Sequence, residues 1–197
     1  MLIEHEGRSP QVDPGAWVAP TAVLCGDVRL AAGARVLWNA VLVDDGGTVE
    51  LGEQATVMEQ ALLRGRADHP VRIGAHVIVG PHAHVNGASV GDGAFLATGV
   101  SIFPGARVGA GAEVRINGVV HVNSAVPDDG LVPIGWVAVG DPAEILPPDR
   151  HDDIWDIQRE LDFPGTVLGV ARETSAADIT RGYAELFGRH RDDQVID

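Results

Sequence analysis

From Val12 to Val126 an aliphatic residue returns at every sixth position, with three breaks in phase. Val12, Val18, Leu24, Leu30, Val36 and Leu42 form the first run, Leu51, Val57 and Leu63 the second, and Ile73, Val79 and Val85 the third. After a five-residue step the series continues through Val90, Leu96, Ile102, Val108, Val114, Val120 and Val126. Four residues after most of these the side chain is small, as at Ala22, Ala40, Ala61, Ala83 and Ala112. An amphipathic helix repeats near 3.6 residues and a half-buried strand every two, so neither explains a period of six. A left-handed parallel β-helix does. Each hexad is then a short strand and a corner, and three hexads make one triangular coil. Coils stack about 4.8 Å apart, as neighbouring strands do.

The period also fixes which residues stack. Leu42, Leu63, Val85, Ile102 and Val120 fall in one inward column, so Val43, Arg64, Asn86, Phe103 and His121 form an outward ladder beside it. Val36, Val57, Val79, Leu96 and Val114 form a second inward column. Two residues beyond these come Trp38, Glu59, Pro81, Thr98 and Ile116. The two longer interruptions, Asp44 to Glu50 and Arg64 to Arg72, are expected to be loops leaving the corners, a usual place for function.

After Leu146 the pattern changes. Pro147 and Pro148 precede a segment with Ile154, Ile157 and Leu161 on one helical face. Ser175, with Asp178 three residues on, marks the start of a second helix carrying Ile179, Tyr183 and Leu186. The expected organisation is a lead-in strand over 1–11, the β-helix over 12–146 and a helical segment over 147–197 packed on the β-helix. Such a segment would shield a face or an end, since terminal repeats need a cap.

Composition narrows the function classes. With 28 acidic and 14 basic residues the net charge is −14, which argues against nucleic acid and anionic membranes as partners. A single cysteine, Cys25, excludes an internal disulfide and fits a reducing compartment. The amino-terminal residues lack a basic stretch followed by an apolar run, and no apolar run reaches membrane-spanning length. The expected location is the cytoplasm. The 25 glycines and few aromatics suit a narrow aliphatic prism with tight corners.

Several phrases are more specific than the hexads. "VDPGAWVAPTAVLCGDV", "VLWNAVLVDD", "VGPHAHVNGASVGDGAFLATGVSIFPGARVG" and "IGWVAVGDPAEIL" resemble successive coils of the gamma-class carbonic anhydrases, covering most of residues 10 to 146. The resemblance implies a homotrimer with sites between subunits, where three histidines hold a zinc ion. Carried over one at a time, those ligand positions fall on Arg64, Pro81 and Asn86. The family's arginine and aspartate near the site fall in Val43-Asp44-Asp45, where only the aspartate is kept. Its active-site glutamine falls on Met58. The resemblance therefore implies the family's scaffold without its metal ligands, and no zinc-bound water to attack CO₂.

The expected replacement is a pocket for a small anion or carboxylate between subunits. Arg64 supplies the charge, with Asn86, a neighbour's Glu59 and His121 beside it, since a planar guanidinium suits carboxylate geometry. Arg115 and Asn117 could add polar groups. A second reading is a hexapeptide-repeat acyltransferase using acyl-CoA, with His82 or His84 as general base. A third is a relocated zinc on His82 and His84, completed by His121, His69 or Glu59. Zinc needs at least three such ligands, and His82 at a corner and His84 on a face supply two. The plainest reading of both histidines is polar packing at an interface.

Overall fold

A computed structural model describes residues 1–196 and shows a three-faced parallel β-helix, with one sheet of ten strands and two of seven among those residues. The columns read from the period are the ones observed. Leu63 lies in register with Leu42 and Val85, and Ile102 with Val85 and Val120. Val36, Val57, Val79, Leu96 and Val114 pair likewise on a second face. Leu42, Leu63 and Val85 are fully buried. Burying each such side chain contributes about 1.5–3 kcal/mol. The alanines four residues on, such as Ala22, Ala40 and Ala61, are buried as well, where the chain turns inward at a corner.

One feature of the corners escapes the aliphatic pattern. At many corners the third residue after the inward one adopts the left-handed backbone conformation, from Gly33, Asn39, Gln54 and Gln60 through His76 and His82 to Asn117, Asn123 and Asp129. This explains much of the glycine and asparagine content, because those residues reach that conformation at the lowest cost.

The two interruptions are shorter than expected. The strands Val41–Asp45 and Leu62–Arg66 run on for five residues, pairing Gly65 with Asp44 and Arg66 with Asp45. Pairing resumes at Val49 and Val71, so only residues 46–48 and 67–70 leave the ladder. The tight passage depends on glycine: a Cβ on Gly65 would lie 1.8 Å from the Gly47 carbonyl oxygen.

The carboxy-terminal segment doubles back along the ten-stranded sheet. The helix α1 (His151–Gln158) buries Ile154; Leu161, expected on its face, lies beyond its end. The helix α2 (Ala176–Gly188) starts as the sequence indicates, with the Asp178 amide donating to Ser175 Oγ. Its stripe of Ile179, Tyr183 and Leu186 is half-buried. Beyond it, Gln194–Val195 pairs antiparallel with β1 (Leu2–Glu4), which itself lies beside Val23–Cys25. The last described strand thus lies beside the first. No helix among the described residues is long and apolar enough to cross a membrane.

Candidate functional site

The ten-stranded sheet presents two outward rows. One contains Leu62, His84 and Ser101 in register; the other contains Cys25, Val43, Arg64 and Asn86 in register, and the same phase adds Phe103 and His121. The second row is the ladder expected to face a neighbouring subunit. Instead the chain's own carboxy-terminal segment covers it. Phe163 packs 5.9 Å from Phe103 and 5.7 Å from His121, ring centre to ring centre. Phe187 lies under the Arg64 guanidinium at 5.2 Å. His190 reaches the level of Cys25 and Asp45. Polar ties hold the segment down: Asn123 Nδ2 donates to the Leu161 carbonyl and to Thr166 Oγ1, and Arg66 Nη2 donates to the Val167 carbonyl.

Arg64 is the centre of this arrangement. Its Nε lies 3.0 Å from Asp45 Oδ2, close enough for an ion pair although the two are not aligned as a hydrogen bond. Asp45 is buried, and its other oxygen accepts from His190 Nε2 at 2.9 Å. A buried carboxylate is costly unless cations and donors surround it, and here Arg64 and His190 do so. Asp44, next in the chain, is also buried. It accepts from the Asp27 and Gly46 amides and pairs with Arg8.

The other predicted residues divide. Asn86 is buried beside Arg64 on the next strand, and its Oδ1 has no hydrogen-bond partner among the described residues. His84 is half-buried; burial, and then the charge of Arg64, lower its pKa below the usual imidazole value. A neutral imidazole is the form a general base requires. His121 is buried between Phe103 and Phe163, and burial pulls its pKa down to about 4. His82 is an exposed corner residue in the left-handed conformation, its amide donating to the Glu59 carbonyl at 3.0 Å. The Glu59 side chain belongs to the other column and is not brought to Arg64 within the chain; Asp45 holds that place. Arg115 and Asn117 are exposed. A groove of about 700 Å³ lies on a different face, lined by Asp13, Arg29, Glu50 and Arg72, away from all of these.

The three residues at the family's metal positions do not fit a zinc ion. A guanidinium has no lone pair to give, and proline offers no side-chain donor. Asn86 alone supplies one weak oxygen, against the three or four N, S or O ligands zinc takes. Sequence reasoning missed the partners of Arg64. The outward Asp45 was legible as a retained aspartate, but His190 and Phe187 come from a segment whose docking position no hexad encodes.

No family model matches the chain. Over 56 residues, 28% of this chain and 22% of the relative, it is 36% identical to the mitochondrial gamma carbonic anhydrase 3 of Arabidopsis thaliana. Over 77 residues it is 34% identical to gamma carbonic anhydrase 1 of the same plant, covering 36% of this chain and 28% of the relative. The matched part is about a quarter of each relative's length. Among solved structures, a hexapeptide transferase family protein from Anaplasma phagocytophilum is 20% identical, with 95% of this chain and 93% of that one covered and a TM-score of 0.47. A GDP-perosamine N-acetyltransferase from Caulobacter crescentus, solved with CoA and GDP-perosamine, is 30% identical over 69% of this chain and 55% of that one, with a TM-score of 0.35. The chain is therefore similar to the gamma carbonic anhydrases in part of its sequence and has the repeat architecture that resemblance implies.

Proposed function

We propose that the protein is a gamma-carbonic-anhydrase-like homotrimer that does not hydrate CO₂. The position of a zinc histidine is given over to Arg64, which with Asp45 anchors the carboxy-terminal segment. The observation that carries this reading is the pairing of Arg64 with buried Asp45 at 3.0 Å, under the cover of Phe187. A cation stands where a metal would be, and no water of lowered pKa is generated there. Assembly is supported by a second face that is open and largely apolar. Trp17, Trp38, Ile78, Phe95, Ile116 and Leu131 are each about two-fifths exposed or more along it, with Arg35, Thr56 and Glu113 in the same outward row. An apolar stripe of this kind marks an interaction surface, and a head-to-tail contact must close into a ring to avoid fibres. The lone buried thiol suits a cytoplasmic protein.

A second reading keeps the small-anion pocket. Arg64 remains one-quarter exposed, with His84 and Asn86 on the adjacent strand. The acyltransferase reading rests on the neutral His84 alone, since His82 is occupied as a corner residue. Stopped-flow CO₂ hydration, run on chelator-treated and zinc-reloaded protein, tests the main proposal together with light scattering. Background rates and a trimer mass are expected. Zinc-dependent hydration above background, or a monomer at micromolar concentration, would overturn it. Binding of bicarbonate or acetate lost in Arg64→Ala, with the trimer intact, would favour the anion pocket.

A further inference from the structure

Near Arg64, at the end of the β-helix where Gln194–Val195 pairs with Leu2–Glu4, lies a set of side chains that the reading above does not use. His5, just past β1, and Cys25, on the strand Val23–Cys25, are buried; His190 and Asp193 come from the turn after α2. One donor atom from each lies within 4.8 Å of all the others. His5 Nδ1 is 2.6 Å from Asp193 Oδ1, and His190 Nδ1 is 2.8 Å from Asp193 Oδ2. Cys25 Sγ is 3.4 Å from Asp193 Oδ2 and 3.9 Å from His190 Nδ1. We propose that these four residues form a closed tetrahedral site for a zinc-class divalent cation, which staples the carboxy-terminal segment to the first coils.

Four observations support the assignment. The donor set is two imidazoles, a thiol and a carboxylate, the mixture that zinc prefers over magnesium or calcium. With metal–nitrogen and metal–sulfur bonds of about 2.0–2.3 Å, tetrahedral donors lie roughly 3.3–3.8 Å apart; the Cys25 separations of 3.4 and 3.9 Å are close to that range, and Asp193 at 2.6 and 2.8 Å from the two imidazoles would draw back as an ion enters. Second, His190 is already oriented as a ligand. Its Nε2 faces Asp45 at 2.9 Å and its Nδ1 faces Asp193 and Cys25, so an ion takes the place of the proton that Nδ1 shares with Asp193. A carboxylate behind a histidine is the usual outer partner of a metal-bound imidazole. Third, the surroundings are rich in carboxylate. Asp193 lies against the Cys25 thiol, and Asp45 against His190. A dication offsets that charge; on binding, the thiol releases its proton to solvent and the thiolate enters the coordination shell. Fourth, a groove of about 420 Å³ lined by Glu4, Glu6, Arg189, Asp192 and Asp193 reaches the cluster at Asp193 and is acidic on balance, an approach for a cation.

The place of the site in the fold gives it a purpose. Two ligands come from the first coils and two from the last residues, so an ion there ties together the strands Leu2–Glu4 and Gln194–Val195. Arg64 then acts at one remove, holding Asp45 against His190. With four protein ligands no position is left for water, so such an ion is structural and compatible with the absence of CO₂ hydration.

The test uses the full chain, stripped with a chelator and titrated with cobalt(II). One equivalent should bind per chain, giving a thiolate-to-cobalt charge-transfer band with the intense visible bands of a tetrahedral site, and zinc should displace it. Cys25→Ser should abolish the charge-transfer band. His190→Gln and Asp193→Asn, at partly exposed positions, should weaken binding at least tenfold, and Asp45→Asn about 10–100-fold, with the circular dichroism of the β-helix unchanged. No charge-transfer band from folded wild-type protein would overturn the proposal. So would cobalt bound as tightly by the Asp193→Asn and His190→Gln variants as by the wild type, since the ion then lies elsewhere. Zinc-dependent CO₂ hydration would contradict the proposed function and leave this site standing if the band persists.

Discussion

Asp45 stands between Arg64 and His190, 3.0 Å from one and 2.9 Å from the other, so one buried carboxylate links a strand of the β-helix to the carboxy-terminal segment. The link has a mechanical meaning. Within the segment α2 presents only a half-buried stripe, too little apolar surface to fix that helix by hydrophobic burial alone. Polar ties at Arg64, Arg66 and Asn123 supply the register.

Arg64→Ala should therefore loosen the segment before it affects the coils. It leaves Asp45 buried with one partner fewer and removes the guanidinium from the Phe187 ring. Because Arg64 is partly solvated, the expected loss is about 1–3 kcal/mol rather than the larger cost of orphaning a fully buried charge. Hydrogen exchange should accelerate over 176–196 and stay slow in the hexads. Unchanged exchange over 176–196 would show that Arg64 is not an anchor.

His121 gives a pH dependence with a definite sign. Its folded pKa is about 4, against about 6.5 for the free side chain, so below 6.5 the unfolded chain binds a proton that the native chain refuses. Stability is complete above about pH 6.5 and falls as the pH drops from there toward 4. At about 1.4 kcal/mol per pKa unit the total is about 3.5 kcal/mol. His121→Phe, matched against Phe103 and Phe163, should flatten that part of the denaturation-midpoint profile. A parallel profile in the variant would assign the acid sensitivity to other groups.

The period of six made the coils legible because each inward position must be aliphatic and each failure would open the prism. Leu63 and Val85 were placed by counting alone. The left-handed corner positions were less visible, since Gln54, Gln60 and His76 occupy them as well as glycine, and only the backbone reveals their common conformation. The cluster at Cys25 was out of reach for a different reason. His5 and His190 are far apart in sequence and stack at 4.2 Å because the last residues return to the first strand. Neither hexad phase nor helical period says where a returning segment docks. The available signal was Cys25 itself, a residue on the outward ladder where the inward columns give no reason for one.

Gly65→Ala should be among the most damaging small substitutions in the chain. The added methyl would meet the Gly47 carbonyl oxygen at 1.8 Å, and both neighbours are backbone, so the two strands must separate. That separation breaks the register of Arg66 with Asp45 and moves the carboxylate away from Arg64. A loss of about 3 kcal/mol is expected, at the upper end for overpacking. A thermal midpoint within a degree or two of wild type would mean that the passage is softer than its geometry indicates.

His82 separates a corner role from a catalytic one. At φ 58° its side chain is exposed and its amide is engaged with the Glu59 carbonyl. An L-residue in this conformation costs roughly 1–2 kcal/mol relative to the right-handed one, and glycine escapes that cost. If the corner is the reason for the residue, His82→Gly should match or exceed wild-type stability, while His82→Ala falls below His82→Gly by about 1 kcal/mol. Neither should alter cobalt binding or assembly. If His82 were the base of an acyl transfer or a ligand to a relocated zinc, alanine and glycine would abolish that activity or binding equally, whatever their order in stability. Chemical denaturation of the pair, read beside acetyl-CoA turnover and metal content, decides between the two.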